Sequence, residues 1–187
     1  MDLPLNQDHA AVIKDTQNWL EKAVIGLNLC PFAKAVHVKN QIRYVVSHAT
    51  TAEALLADLL QELQLLYESD PELLDTTLLI HPAVLTDFLD YNDFLDVADA
   101  AADEPEFDAQ LQIASFHPQF QFADTVADDI ENYTNRSPYP MLHLLREASV
   151  ARAVAAFPEA EQIYQKNMDT LRQLGRAGWQ RLFAVTS

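Results

Sequence analysis

TTLLIHP, residues 76–82, decides how this chain is read. A short apolar, β-branched run that closes on His81-Pro82 reads as a buried strand rather than a helix. LQIASFHP (residues 111–118) leaves a second such run by the same His-Pro exit, and QIRYVVSH (residues 41–48) ends a third at His48. Helical patterns lie between them. Thr50 with Glu53 makes a capping box ahead of Leu55, Leu56, Leu59, Leu60, Leu63 and Leu66, and Asp70-Pro71 ends that helix. Thr86 caps another, buried through Phe88, Leu89, Leu95 and Ala98 and running out near Glu104-Pro105.

The flanks read as helices too. Val12, Ile13, Trp19, Leu20, Ala23, Val24 and Leu27 fall at helical spacing, and Pro31 suits the first turn of a short helix. MLHLLREASVARAVAAF (residues 141–157) reads as a helix stopped by Pro158, and residues 159–185 as another with a weak point at Gly175 and Gly178. Strands separated by single helices pair in parallel through right-handed crossovers. The expectation is one α/β domain over residues 1–187, with a small, mainly parallel sheet of about three strands and flanking helices. Residues 1–7 are expected to be a disordered tail. The alternative is an α+β fold with one antiparallel strand.

The 187 residues carry a formal charge of −16, unevenly spread. No Lys or Arg occurs between Arg43 and Arg136, an interval with 20 of the 28 acidic residues. Such a middle section repels phosphate backbones, so no nucleic-acid partner is expected. The start, MDLPLNQDHA, lacks the flank and apolar run of a signal peptide. The leucine-rich stretch is broken by Asp58, Gln61 and Glu62, so no membrane span is expected. A cytoplasmic location follows as the default. Cys30 is the single cysteine, which excludes an intramolecular disulfide. With three glycines, no Gly-rich phosphate loop and no G-x-S-x-G elbow can be written.

If the three strands are parallel, His48, His81 and His117 stand at their C-terminal ends, the edge where open α/β sheets bind ligands. Three imidazoles there suit a divalent transition metal such as zinc, or an acid/base cluster. The plain reading is that His-Pro terminates strands and each ring bonds a loop carbonyl. Read on a helix, His143, Arg146 and Glu147 share one face. Arg136 and Arg146 are candidate clamps for a small anion, with Tyr139 and His143 as neighbouring contacts. Cys30, ahead of a helix start and Lys34, is a candidate nucleophile, or else inert packing.

The strings NWLEKAVIGLNLCPFAK, IASFHPQFQF and ENYTNRSPYPMLHLLREASVARAV resemble a family of uncharacterised bacterial proteins known only as a domain of unknown function. The resemblance covers roughly residues 19–157 and implies a bacterial, single-domain protein. It brings no activity and no catalytic residues with it.

Two functions follow from the residues. One is an enzyme acting on a small anionic substrate. His81, His117, Cys30 and Glu147 are its candidate catalytic groups, and His48, His81 and His117 its candidate metal ligands. The other is a non-catalytic module that binds a small ligand, or docks on a partner through the acidic middle section.

Overall fold

The computed structural model describes residues 9–157 and 159–184. The expectations for residues 1–7, for Pro158 as a helix stop and for a helix reaching Val185 lie outside the described residues. The first helix, α1 (His9–Trp19), runs directly into a π-helical turn, Leu20–Ile25, and a short α2 (Ala33–Val38) follows. Then come β1 (Ile42–Val46), α3 (Ala52–Glu68), β2 (Thr76–Ile80), α4 (Phe88–Ala102) and β3 (Leu111–Phe116). The three strands and two helices read from the sequence are all present. The caps sit one residue later than expected: Thr51 accepts from the Ala54 N–H for α3, and Asp87 from the N–H groups of Leu89 and Asp90 for α4.

The difference lies in MLHLLR. Met141–Arg146 is a fourth strand, β4, and only Glu147–Ala156 is helical, as α5. The sheet order is β1-β2-β4-β3. β1 and β2 are parallel, while β4 runs antiparallel to both β2 and β3. β1, β2 and β3 therefore point the same way, but β3 does not touch β2. The sheet is mixed and four-stranded among the described residues, which corrects the mainly parallel three-stranded expectation. A central strand covered on both faces is apolar at nearly every position, and such a run has no period to tell it from a helix. Pairing on both edges then overrides the helical propensity of leucine and methionine.

Helices cover both faces. α3 and α4 pack Leu55, Leu59, Leu63, Leu66, Tyr91, Phe94 and Ala98 against Leu79, Leu142 and Leu144. On the other face Val12, Trp19, Leu20, Ala23 and Val24 meet Leu78, Ile80 and Met141, joined by Trp179, Leu182 and Phe183 of α6 (Ile163–Phe183). The Tyr91 hydroxyl donates to the Met141 carbonyl at 2.8 Å and accepts from the Phe116 N–H at 3.0 Å. It thus ties α4 to the pair β3–β4.

Helix α6 bends where the sequence weakens. Gly175 has φ 64° and ψ 173°, a conformation essentially restricted to glycine. A Cβ there would meet nothing within 4 Å, so its cost is backbone strain alone. Gly175→Ala is expected to lower stability by about 1–3 kcal/mol, read as a shift in the urea midpoint at unchanged slope. An unchanged midpoint would mean that the bend is not required.

Candidate functional site

Because β1, β2 and β3 share a direction, His48, His81 and His117 do emerge at one edge of the sheet. They do not meet. Val46 is level with Ile80, and the Ser47 N–H donates to the Ile80 carbonyl, so the residue beside His81 is Ser47 and not His48. Side chains alternate faces along a strand. His48 therefore faces the α1 side, where it is exposed and its ring lies 4.3 Å from that of His9. His81 and His117 lie on the α4 side, both fully buried, with Tyr91 5.8 Å from one ring and 5.0 Å from the other.

The partners of the buried pair fix their tautomers. His81 Nδ1–H donates to the Val84 carbonyl at 2.9 Å, and its Nε2 has no partner. His117 Nε2–H donates to the Leu85 carbonyl at 3.1 Å, while its Nδ1 accepts from the Gln119 N–H at 3.0 Å. Both nitrogens of His117 are thus engaged, which leaves one imidazole lone pair between the two rings. Among the described residues no group of three or more His, Cys, Asp or Glu side chains is placed to hold a metal ion. The expected three-histidine centre is not assembled, because strand parity separates His48 and loop bonding occupies His117. Burial, above all, pushes the His81 imidazole down to about 4, with the nearby His117 adding to it against the Val84 bond. Burial also lowers His117.

The antiparallel course of β4 removes two more candidates. Met141 pairs with Phe116 at the histidine edge, and Arg146 pairs with Leu111 at the far one. Five strand steps separate them by about 17 Å. There the Arg146 guanidinium, buried, donates to the carbonyls of Leu66, Ser69 and Leu74 at 2.6, 2.8 and 3.0 Å. It caps the end of α3, whose last carbonyls lack helical partners. Glu147 is exposed at the start of α5. His143, Arg146 and Glu147 do not share a helix face, since two of them lie in a strand.

His143 Nε2 stands 2.7 Å from the Thr76 hydroxyl, which is 2.6 Å from the Leu144 carbonyl. The hydroxyl has one proton to give, so a ring N–H donating to Thr76 completes the chain. Burial lowers this imidazole to about 4. Cys30 lies near the N–H groups of Phe32 and Ala33, as its position before a helix suggested, but burial outweighs them and raises the thiol. That favours the protonated form, the reverse of an activated nucleophile.

One predicted residue does line a cavity. A cleft of about 450 Å³ opens beside the histidine edge, between α1, α6 and the chain joining β3 to β4. Its walls include Asp15, Trp19, Tyr133, Arg136, Trp179 and Phe183. Arg136 Nε–H donates to the Phe120 carbonyl at 3.1 Å and Nη2–H to the Ala127 carbonyl at 2.6 Å. Its guanidinium carbon sits 4.5 Å from the centre of the Tyr133 ring. Neither Arg136 nor Asp15 has an ion-pair partner among the described residues. The Tyr139 hydroxyl donates to Asp15 at 2.8 Å. Burial first, then Asp15, pushes that phenol up to about 12. Asp15, Trp19 and Trp179 carried no signal as site residues in the sequence: α1 and α6 bring them together from opposite ends of the chain.

A family model described as "Protein of unknown function (DUF1415)" matches residues 11–181. No curated protein and no solved structure matches the chain.

The buried histidines give stability a pH dependence of known sign. Unfolded, His81 takes a proton near pH 6.5; folded, near 4. Between these the unfolded state binds more protons, so this contribution is whole above pH 6.5 and is lost as pH falls toward 4. From pH 6.5 to 5 the loss due to His81 is about 2 kcal/mol. His81→Asn keeps a donor for the Val84 carbonyl and removes the titration. Denaturant unfolding at pH 7 and pH 5 is expected to show a smaller drop for this variant, and equal drops would acquit His81.

Proposed function

The chain belongs to that family of unknown function, and from its own residues we propose that it binds a small anionic molecule with an apolar or aromatic body. The binding place is the cleft at the C-terminal edge of β3. The observation that carries this reading is Arg136. In a chain with 28 acidic residues and 12 basic ones, this guanidinium is held by two carbonyls and a tyrosine ring, and no carboxylate among the described residues neutralises it. A fixed cation with unused donors suits a carboxylate or phosphate oxygen. Aromatic walls and a volume of about 450 Å³ suit a small organic ligand.

Binding is favoured over catalysis. A general acid/base pair needs two titratable groups reaching one substrate. His81 and His117 are instead sealed in the core with most of their nitrogens bonded to the backbone. No helix among the described residues is long and apolar enough to cross a membrane.

Both tryptophans of the chain, Trp19 and Trp179, line the cleft. Intrinsic fluorescence therefore reports its occupancy. Titration with small carboxylates and phosphates is expected to give a saturable change, weakened about tenfold or more in Arg136→Lys, which keeps the charge and loses the fork. Saturable binding with equal affinity in the variant would place the ligand elsewhere and refute the reading.

A further inference from the structure

Resting on the reading of the cleft above, we propose that its ligand is a zwitterion of the amino-acid class, with its carboxylate on Arg136 and its ammonium toward Asp15. The observation is a pair of opposite charges that line one cavity without neutralising each other. Elsewhere in this structure opposite charges that face one another pair: Arg43 with Glu62, Arg172 with Glu131, Arg176 with Asp128. Asp15 and Arg136 share the cleft wall, yet neither is within ion-pair distance of the other or of any other described charge.

Both poles are held in place. Asp15 Oδ2 accepts the Tyr139 hydroxyl, and Oδ1 has no hydrogen-bond partner among the described residues. Tyr139 belongs to the same connection as Arg136, so one segment fixes both charges. The bonds from Arg136 to Phe120 and Ala127 use Nε and Nη2 and leave Nη1 for a ligand. A purely anionic ligand gains from Arg136 and is opposed by Asp15, and a purely cationic one meets the reverse. A molecule bearing both charges satisfies each pole. The half-buried indole of Trp179 in the same wall adds to this, since an ammonium is attracted to an indole face. Phe183, Pro118 and Pro138 in the lining suit an apolar or aromatic side chain, beside the polar Asn18 and Ser137. Asp15 is exposed, so its preference for an ammonium is modest, on the order of fivefold with the indole contribution.

The test compares three ligands that differ by one charge: L-phenylalanine, 3-phenylpropionate and phenethylamine. Each is titrated into the full chain and into Asp15→Asn, with tryptophan fluorescence as readout. Asparagine keeps an acceptor for Tyr139 and removes the charge. The expected result is that wild type binds L-phenylalanine about fivefold more tightly than either analogue. In Asp15→Asn that advantage over 3-phenylpropionate disappears. Equal or tighter binding of 3-phenylpropionate by wild type overturns the zwitterion proposal and leaves the anion reading standing. Preference for phenethylamine overturns both, because Arg136 would then not be the anchor. No fluorescence change from any of the three up to about 10 mM, the range of very weak affinities, also overturns both.

Discussion

Everything at the histidine edge depends on β4 being paired on both sides. An antiparallel strand between β2 and β3 must start where those two end. The chain leaving β3 at His117 therefore has to return to the same edge, and residues 117–140 make that journey. A connection of this length inside a compact domain needs an organisation of its own. Asn132, fully buried, supplies part of it: Oδ1 accepts from the Phe122 N–H and the Thr125 hydroxyl, and Nδ2–H donates to the Val126 carbonyl. Arg136 supplies more by reaching back to Phe120 and Ala127. The segment so stiffened is one wall of the cleft. Fold and candidate site have a common cause.

The other walls come from the ends of the chain. α6 meets residues 128–135 through Arg172–Glu131 and Arg176–Asp128 pairs. Such exposed pairs contribute little each. The contact of Trp179 with the Tyr133 ring is the firmer tie. The bend at Gly175 lets the residues beyond it turn toward the sheet rather than continue along the first part of α6. Basic residues are concentrated outside residues 44–135, so these terminal segments bring positive charge to an acidic body.

Much of this was legible in the sequence. Three strands and the helices between them follow from β-branched runs, capping residues and proline stops. The family was legible in its longest strings. What was not legible has one main source. MLHLLR is apolar at four of six positions, and a strand buried on both faces carries no alternation to betray it. Reading it as a helix put His143, Arg146 and Glu147 on one face, whereas the strand sends the last two to the far edge. The faces of the histidines were hidden for a related reason, since register between strands is a tertiary property. The exit of β1 is one residue longer than that of β2, and that single residue turns His48 away. Arg136 was identified by its surroundings in the sequence, yet Asp15, in the wall of the same cleft, lies on a helix of ordinary amphipathic pattern.

The repeated His-Pro exit has a structural explanation that the geometry makes specific. His81 and His117 grip successive residues of one turn, Val84 and Leu85, from two different strands. Leu85 has φ 54°, a left-handed conformation uncommon for a non-glycine residue and costing on the order of 1–3 kcal/mol. That conformation persists where its surroundings over-determine it, and here its carbonyl is taken by a buried imidazole. Imidazole suits the task because it is compact, donates from one nitrogen and still accepts at the other, which His117 uses to bond Gln119. Proline after each histidine favours the extended backbone that points the ring inward. The acceptor role of His117 Nδ1 requires a neutral ring, and burial favours the neutral form at both histidines. The edge that sequence reasoning marked as chemical is thus a loop clamp at its centre. The cleft beside it inherits walls that the clamp, the returning connection and the terminal helices hold in place.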